Sequence, residues 1–297
     1  MNLFRPAAVL VLSLAIPAAA ETKFADCAGL SALLQSFSGY TLSAPLAGDA
    51  EGWCVLDGAS LQAAAADLPD LKADRLRLRG SVADRVAMSV ELDLTGLRLV
   101  IGLGGKAIDP ALQAAFRLQS ADLQLAATLN PATDTLEIRG LALRLSGGTE
   151  LTLGADIRGA GLSPLSLAAG SLTALDLDWR NDGRLLGPVM EAAGARLARD
   201  QAGTDAIDAA RSALHAVVEA LPGMMFAEGA KENLTRLIAS LPRGRGRLRL
   251  SLTSKDGIGA ARLIIAGLAD APLAPETLAA LFAGASLSAS WEPGLAP

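Results

Sequence analysis

A chain of 297 residues with a formal charge of −5 carries too little positive charge to be a general nucleic-acid binder. It is 51% hydrophobic but only 3% aromatic, which argues against an outer-membrane barrel with its two aromatic girdles. The length is ample for one large domain, and the core must be built from Leu, Ala, Val and Ile.

Met1 to Ala20 reads as a signal peptide. Arg5 is its positive end, and Ala7 to Ile16 is an apolar stretch too short for a comfortable membrane span. Pro17-Ala18-Ala19-Ala20 supplies small residues for a signal peptidase, so cleavage is expected before Glu21. Cys27 lies several residues further on, which speaks against a lipid anchor. No later stretch is long and apolar enough to span a bilayer. Arginine far outnumbers lysine, the usage of a GC-rich bacterial genome, and the expected location is the periplasm.

Cys27 and Cys54 are the only cysteines, an even count for an oxidising compartment, and a disulfide is expected. Closing that loop is worth roughly 3 kcal/mol in the chain-entropy model. A redox pair would need Cys-x-x-Cys spacing, which is absent. Residues 21–67 read as a cap that the disulfide pins to the main body. Leu30, Leu33, Leu34 and Phe37 have helical spacing there, and Gly39 ends it.

Residues 68–180 read as the first part of a sheet. Leu76 and Leu78 alternate with Arg75, Arg77 and Arg79, while Met88, Val90, Leu92 and Leu94 alternate with Ser89, Glu91 and Asp93. Folding these runs about a turn near Asp84 pairs Leu76 with Leu92, Leu78 with Val90 and Arg77 with Glu91. The pattern resumes as Leu97, Leu99, Ile101 and Leu103, and the phase shift at Gly96 predicts a bulge. Leu123, Leu125 and Leu129 form the next run, followed by turn residues Asn130-Pro131 and Asp134. Leu136 and Ile138 precede a second phase shift at Gly140, after which Leu141, Leu143 and Leu145 continue. Leu151, Leu153 and Ile157 form another run, and Leu175, Leu177 and Trp179 the last. Closely spaced strands with short turns predict an antiparallel sheet.

Residues 181–242 read as a helical insertion that begins after Asn181-Asp182-Gly183. The first helix is expected over Leu185 to Arg199, weakened by Gly187, Pro188 and Gly194. Thr204 or Asp205 is expected to cap a second, with an apolar face of Ile207, Ala210, Leu214, Val217, Val218 and Leu221. Pro222-Gly223 ends it. A third is expected from about Phe226 to Leu241. Residues 243–297 return to strands. Leu248, Leu250 and Leu252 come first, then a turn at Lys255-Asp256-Gly257, then Leu263 and Ile265. A short helix over Pro275 to Phe282 and a strand with Leu287, Ala289 and Trp291 follow. Residues 21–297 are expected to form one domain.

No catalytic or metal constellation stands out, and no cofactor is expected. His215 is the only histidine and sits at the edge of a polar helix face near Arg211 and Glu219. No Gly-x-Ser-x-Gly elbow or Ser-x-x-Lys is present. Gly102-Leu103-Gly104-Gly105-Lys106 lacks the full spacing and trailing Ser or Thr of a phosphate loop. Asp176, Asp178, Asn181 and Asp182 gather at one strand end without calcium-loop spacing. The arginine rows are the most suggestive polar feature. Arg75, Arg77 and Arg79 line one strand, and Arg243, Arg245, Arg247 and Arg249 another. They read either as cross-strand pairing and edge protection or as a stripe for anionic lipid head groups.

The leader, the cysteine-bearing start, the leucine-alternating strands, the strand–Asn181-Asp182-Gly183–helix step and the closing Trp291-Glu292-Pro293 together resemble exported Gram-negative proteins assigned only to domains of unknown function. More remotely, the layout is similar to the AsmA-like envelope proteins, whose curled sheets hold lipid tails. The expected fold is α+β: a large curved antiparallel β-sheet with a helical insertion packed against its open face. The resemblance and the continuous leucine face imply a non-enzymatic periplasmic protein that binds a lipid or other apolar ligand. The candidate ligand face is Leu92, Leu99, Leu125, Leu143, Leu153 and Leu177. The candidate anionic head-group contacts are Arg75, Arg77, Arg79, Arg245, Arg247 and Arg249. The alternatives are an assembly module that docks another envelope protein and, more remotely, a hydrolase around His215 or Asp178. Helices that cover the sheet completely would remove the ligand reading.

Overall fold

The computed structural model describes residues 23–24, 26–64, 69–83, 86–100, 116, 119–184, 186–197, 203–259 and 275–294. The leader, the turn at Asp84, Ile101, the Gly102–Lys106 loop, Leu185, Arg199, Leu263 and Ile265 lie outside them.

The expected class holds: the chain is an α+β protein, and the described residues build one antiparallel sheet of 14 strands. Its spine is a meander in which each strand pairs with the next. The strands are β7 (Arg75–Ala83), β8 (Val86–Val100), β9 (Ala121–Asn130), β10 (Thr135–Leu145), β11 (Glu150–Arg158), β12 (Ser171–Asn181), β13 (Gly246–Gly259) and β14 (Ala285–Pro293). Six short strands extend its N-terminal side: β1 (Lys23–Phe24), β2 (Tyr40–Leu42), β3 (Ala47–Gly48), β4 (Cys54–Asp57), β5 (Ser60–Ala63) and β6 (Asp70–Lys72). The sheet forks at β8. Its first part pairs with β7, which in turn carries β4 and β1, whereas Arg98 to Val100 pair with β6. The far edge is partly covered, because Phe226 bridges Leu287 of β14 and the Ala227 N–H donates to the Leu287 carbonyl at 2.8 Å.

Alternation places leucines on one face and charged residues on the other along every long strand. The bulges expected at Gly96 and Gly140 are present as register shifts between Leu94 and Leu97 and between Ile138 and Gly140. The β7–β8 register differs from the expectation by two residues: Leu76 pairs with Leu94, Leu78 with Leu92 and Arg77 with Asp93. A two-residue slip keeps every side chain on its face, so alternation cannot choose between the two pairings. A further irregularity between Ser81 and Val82 takes up one residue of that difference near the turn. The turn expected at Lys255-Asp256-Gly257 is instead a bulge inside β13. Thr253 pairs with Ala174 and Ile258 with Leu172, so β13 carries the extra residues.

Helices cover the two ends of the leucine face. At the N-terminal end lies α1 (Cys27–Ser38), capped by the Asp26 carboxylate, which accepts from the Gly29 N–H, and ended by Gly39 in the left-handed region. The Cys27–Cys54 disulfide joins α1 to β4. Leu30 packs there with Leu46, Leu61, Leu76, Leu78 and Leu94. Near the centre, α2 (Pro164–Ala169) starts with Ser163 as cap and proline in the first turn.

At the C-terminal end α3 (Leu186–Leu197), α4 (Gly203–Ala220), α5 (Ala230–Ser240) and α6 (Pro275–Leu281) pack over β12 to β14. Phe226 precedes α5 rather than opening it, since it pairs with β14 after a 3-10 turn at Gly223–Met225. The expected cap of α4 also differs: the helix begins at Gly203, whose N–H donates to Glu191 of α3 at 3.0 Å. Its buried side is Ala206, Ala210 and Val218, while Leu214 and Val217 of the expected apolar face are 43% and 50% exposed. The reason is the close approach of α3: a Cβ on Gly194 would collide with the Ala206 carbonyl. The helices therefore meet along their small residues and turn two large ones outward.

Candidate functional site

The helices do not cover the middle of the leucine face. Leu92, Leu123, Leu125, Leu141, Leu143, Leu151 and Leu153 are only half-buried there. Between α1 and α2 this leaves an apolar cavity of about 280 Å³. Its floor is Leu78, Leu92, Leu125 and Leu136, and its walls are Leu33 and Leu34 of α1 with Leu162 and Leu167 beside and on α2. Ser38 is the one residue with a polar side chain in the lining. A second apolar pocket of about 200 Å³ lies on the same face at the other end of β8 to β10, against Leu71, Leu97, Leu99, Leu143 and Leu145. On β10, Ile138 of the first and Leu143 of the second are roughly 16 Å apart at a strand's rise per residue.

Of the six expected ligand-face leucines, Leu92 and Leu125 line the first pocket, and Leu99 and Leu143 the second. Leu177 packs against the C-terminal core, and Leu153 lies half-buried between the ends. The wall supplied by α2 was missed. The signal for it is Ser163-Pro164, a cap followed by proline at the first helical position.

The opposite face carries a charge ladder. Arg77 and Arg79 donate to Asp93 and Glu91, each at 2.7 Å, and both guanidinium groups stack on Trp53 at 4.6 and 4.4 Å from the ring centroid. Arg75 pairs with Asp57 at 3.4 Å. Arg247 donates from Nε to Asp178 at 2.7 Å, and Arg249 bridges Asp178 at 3.7 Å and Glu292 at 2.8 Å. Five of the six expected head-group arginines are thus committed to neighbouring carboxylates. Arg245 makes no ion pair among the described residues.

Hydrogen bonding from Arg247 holds the Asp178 carboxyl below the usual carboxylate range, against the opposing effect of partial burial. A lowered folded-state pKa contributes stability above the unfolded value, and that contribution disappears as pH falls through the folded pKa. Asp178→Asn should therefore cost about 1 kcal/mol near neutral pH. The gap between variant and wild type should close at strongly acidic pH. Urea unfolding of both proteins at neutral and strongly acidic pH checks this.

Ladder residues Thr152, Asp176, Asp178, Ser251, Ser288 and Ser290 line a broad groove of about 750 Å³ across β10 to β14. His215 lies exposed on α4, on the helix side of the sheet, so the structure does not bring it to Asp178. No group of three or more His, Cys, Asp or Glu side chains among the described residues is arranged to hold a metal ion. No helix among the described residues is long and apolar enough to cross a membrane. The chain matches no family model and no curated protein sequence.

Proposed function

We propose that this is a non-enzymatic periplasmic protein of the AsmA-like type that holds a lipid or other apolar ligand on its half-covered leucine face. The observation that carries the reading is the apolar cavity of about 280 Å³ between α1 and α2. That volume is close to the low end of small-molecule sites, about 300–1,000 Å³. It admits roughly nine methylenes if each takes the ~30 Å³ share of a water. At about 0.8 kcal/mol per methylene this gives about 7 kcal/mol of gross driving force, micromolar binding before association costs. A supporting feature is the disulfide, which suits an oxidising compartment.

The test is native mass spectrometry of the detergent-free protein, with organic extraction in parallel and lysophosphatidylcholine added as a defined single-chain probe. A stoichiometric adduct is expected. Ala127, buried in the cavity lining, offers the matching variant. Ala127→Trp should fill the space and weaken the probe at least tenfold, with a native-like circular dichroism spectrum. A clean apo mass after incubation with envelope lipids and the probe would sink the reading. The second reading, a docking module for another envelope protein, draws on Val189, Leu197, Leu214 and Val217, all exposed on α3 and α4.

A further inference from the structure

At one end of the sheet a small pocket of about 60 Å³ is lined by Arg180, Arg184 and Arg245 over the Gly147-Gly148 turn. Two segments deliver these arginines, 180–184 and the residue before β13, and the Asn181-Asp182-Gly183 step organises them. The Asn181 side-chain amide donates to the Gly244 carbonyl and accepts from the Gly183 N–H, which fixes the chain leading into β13. Gly183 has φ +83°, and a Cβ there would come within 3.2 Å of the Arg245 Cγ, so glycine leaves room for the arginine stem. Asp182 Oδ1 accepts from Thr149 at 2.8 Å and from the Arg184 N–H at 3.0 Å.

Two features point to a ligand. The corner is basic: Arg144 and Arg180 share Glu150, Arg184 faces Asp182, and Arg245 has no ion pair among the described residues. The second feature is an unmet acceptor. The Asp182 side chain is only 9% exposed, yet its Oδ2 has no hydrogen-bond partner among the described residues, with the Arg184 Nε ion pair at 3.5 Å. A carboxylate can only accept, so beyond its ion pair with Arg184 this oxygen has capacity for a further donor. Gln119 Oε1 is also buried without a partner. It lies near the same point as Asp182 Oδ2: a Cβ added at Gly147 would be 3.3 Å from the one and 3.4 Å from the other. Rotation of the Gln119 amide exchanges its donor and acceptor, so Asp182 carries the argument.

Position completes it. Gln119 also lines the second apolar pocket, with Leu143 and Leu145 just ahead of the Gly147-Gly148 turn. The basic corner and the leucine face therefore meet at Gln119.

We propose that this corner binds the phosphoglycerol head of an anionic lipid whose acyl chain lies on the leucine face. The phosphate meets Arg180, Arg184 and Arg245, and a glycerol hydroxyl donates to Asp182 Oδ2. A phosphodiester alone has no donor for that oxygen, whereas glycerol supplies two. This rests on the apolar-ligand reading above and adds the head group to it.

The test compares lysophosphatidylglycerol with lysophosphatidylcholine of the same acyl chain, by calorimetry below their micelle concentrations. The phosphoglycerol lipid is expected to bind about tenfold tighter, the worth of one charge-assisted hydrogen bond. Asp182→Asn, which removes the charged acceptor of the glycerol hydroxyl, should erase that preference, whereas Arg245→Gln, at an exposed side chain that meets the phosphate common to both lipids, should weaken both. Arg184→Gln serves as a second variant. Equal affinity of the two lipids overturns the head-group assignment while the apolar reading stands. Binding of neither lipid removes both. Glycerol 3-phosphate binding as tightly as the lysolipid would make this a site for a free phosphoester and overturn the lipid assignment.

Discussion

Gly194→Val should destabilise the protein by about 3 kcal/mol, the upper end of ordinary overpacking. The α3–α4 contact leaves no choice of response. A Cβ at Gly194 meets the carbonyl oxygen, carbonyl carbon and Cα of Ala206, all of them backbone. No side chain can rotate away, so the helices must part. Ala206 is fully buried at this seam, and parting exposes it. Gly194→Ala is the sharper probe. In an exposed helix that change gains up to about 1 kcal/mol through propensity. Here the collision already involves the Cβ, so a net loss is expected. Urea unfolding of both variants should show lower midpoints with an unchanged slope. A Gly194→Ala protein as stable as wild type would mean that α3 and α4 do not meet at this point.

Reducing the Cys27–Cys54 bond, or replacing both cysteines by serine, should cost about 3.5 kcal/mol for a loop of 27 residues in the chain-entropy model. The loss should fall unevenly. Cys27 is the first residue of α1, and Leu33 and Leu34 on that helix form one wall of the apolar cavity. Opening the bond leaves α1 held by Leu30 and its neighbours alone. Lysolipid affinity is therefore expected to drop on reduction, at temperatures where circular dichroism still reports an intact sheet. Calorimetric titration with and without reductant, alongside thermal unfolding, separates the two effects. Unchanged lipid binding in the reduced protein would place the ligand away from α1.

Much of the sheet is legible in residue alternation. Leu76 and Leu78 against Arg75, Arg77 and Arg79 specify a strand and its buried face, and the phase breaks at Gly96 and Gly140 mark real bulges. What alternation cannot set is a pairing offset by two, which is where the β7–β8 register departed. Large side chains also mislead at helix contacts. Leu214 and Val217 belong to the regular apolar spacing of α4, but glycine and alanine set the contact with α3. The leucines of the candidate site are readable one by one. The space between them is not, because a cavity exists only where two elements fail to meet, here α1 and a six-residue helix at Pro164–Ala169. Of the arginine corner only Arg245 belongs to a row singled out in the sequence, whereas Arg180 and Arg184 come from the end of β12 and the turn after it.

The Phe226 bridge on the outer edge of β14 has a consequence for capacity. An exposed terminal strand invites a neighbouring molecule to continue the ladder, which would turn a short apolar surface into a continuous track. Here the chain's own segment already takes the Leu287 carbonyl, so growth from that side is blocked where the bridge sits. On the β14 side the leucine surface then ends within the chain at that bridge. Under the apolar-ligand reading proposed above, such an end suits a container with a fixed load better than a conduit along which cargo passes from copy to copy.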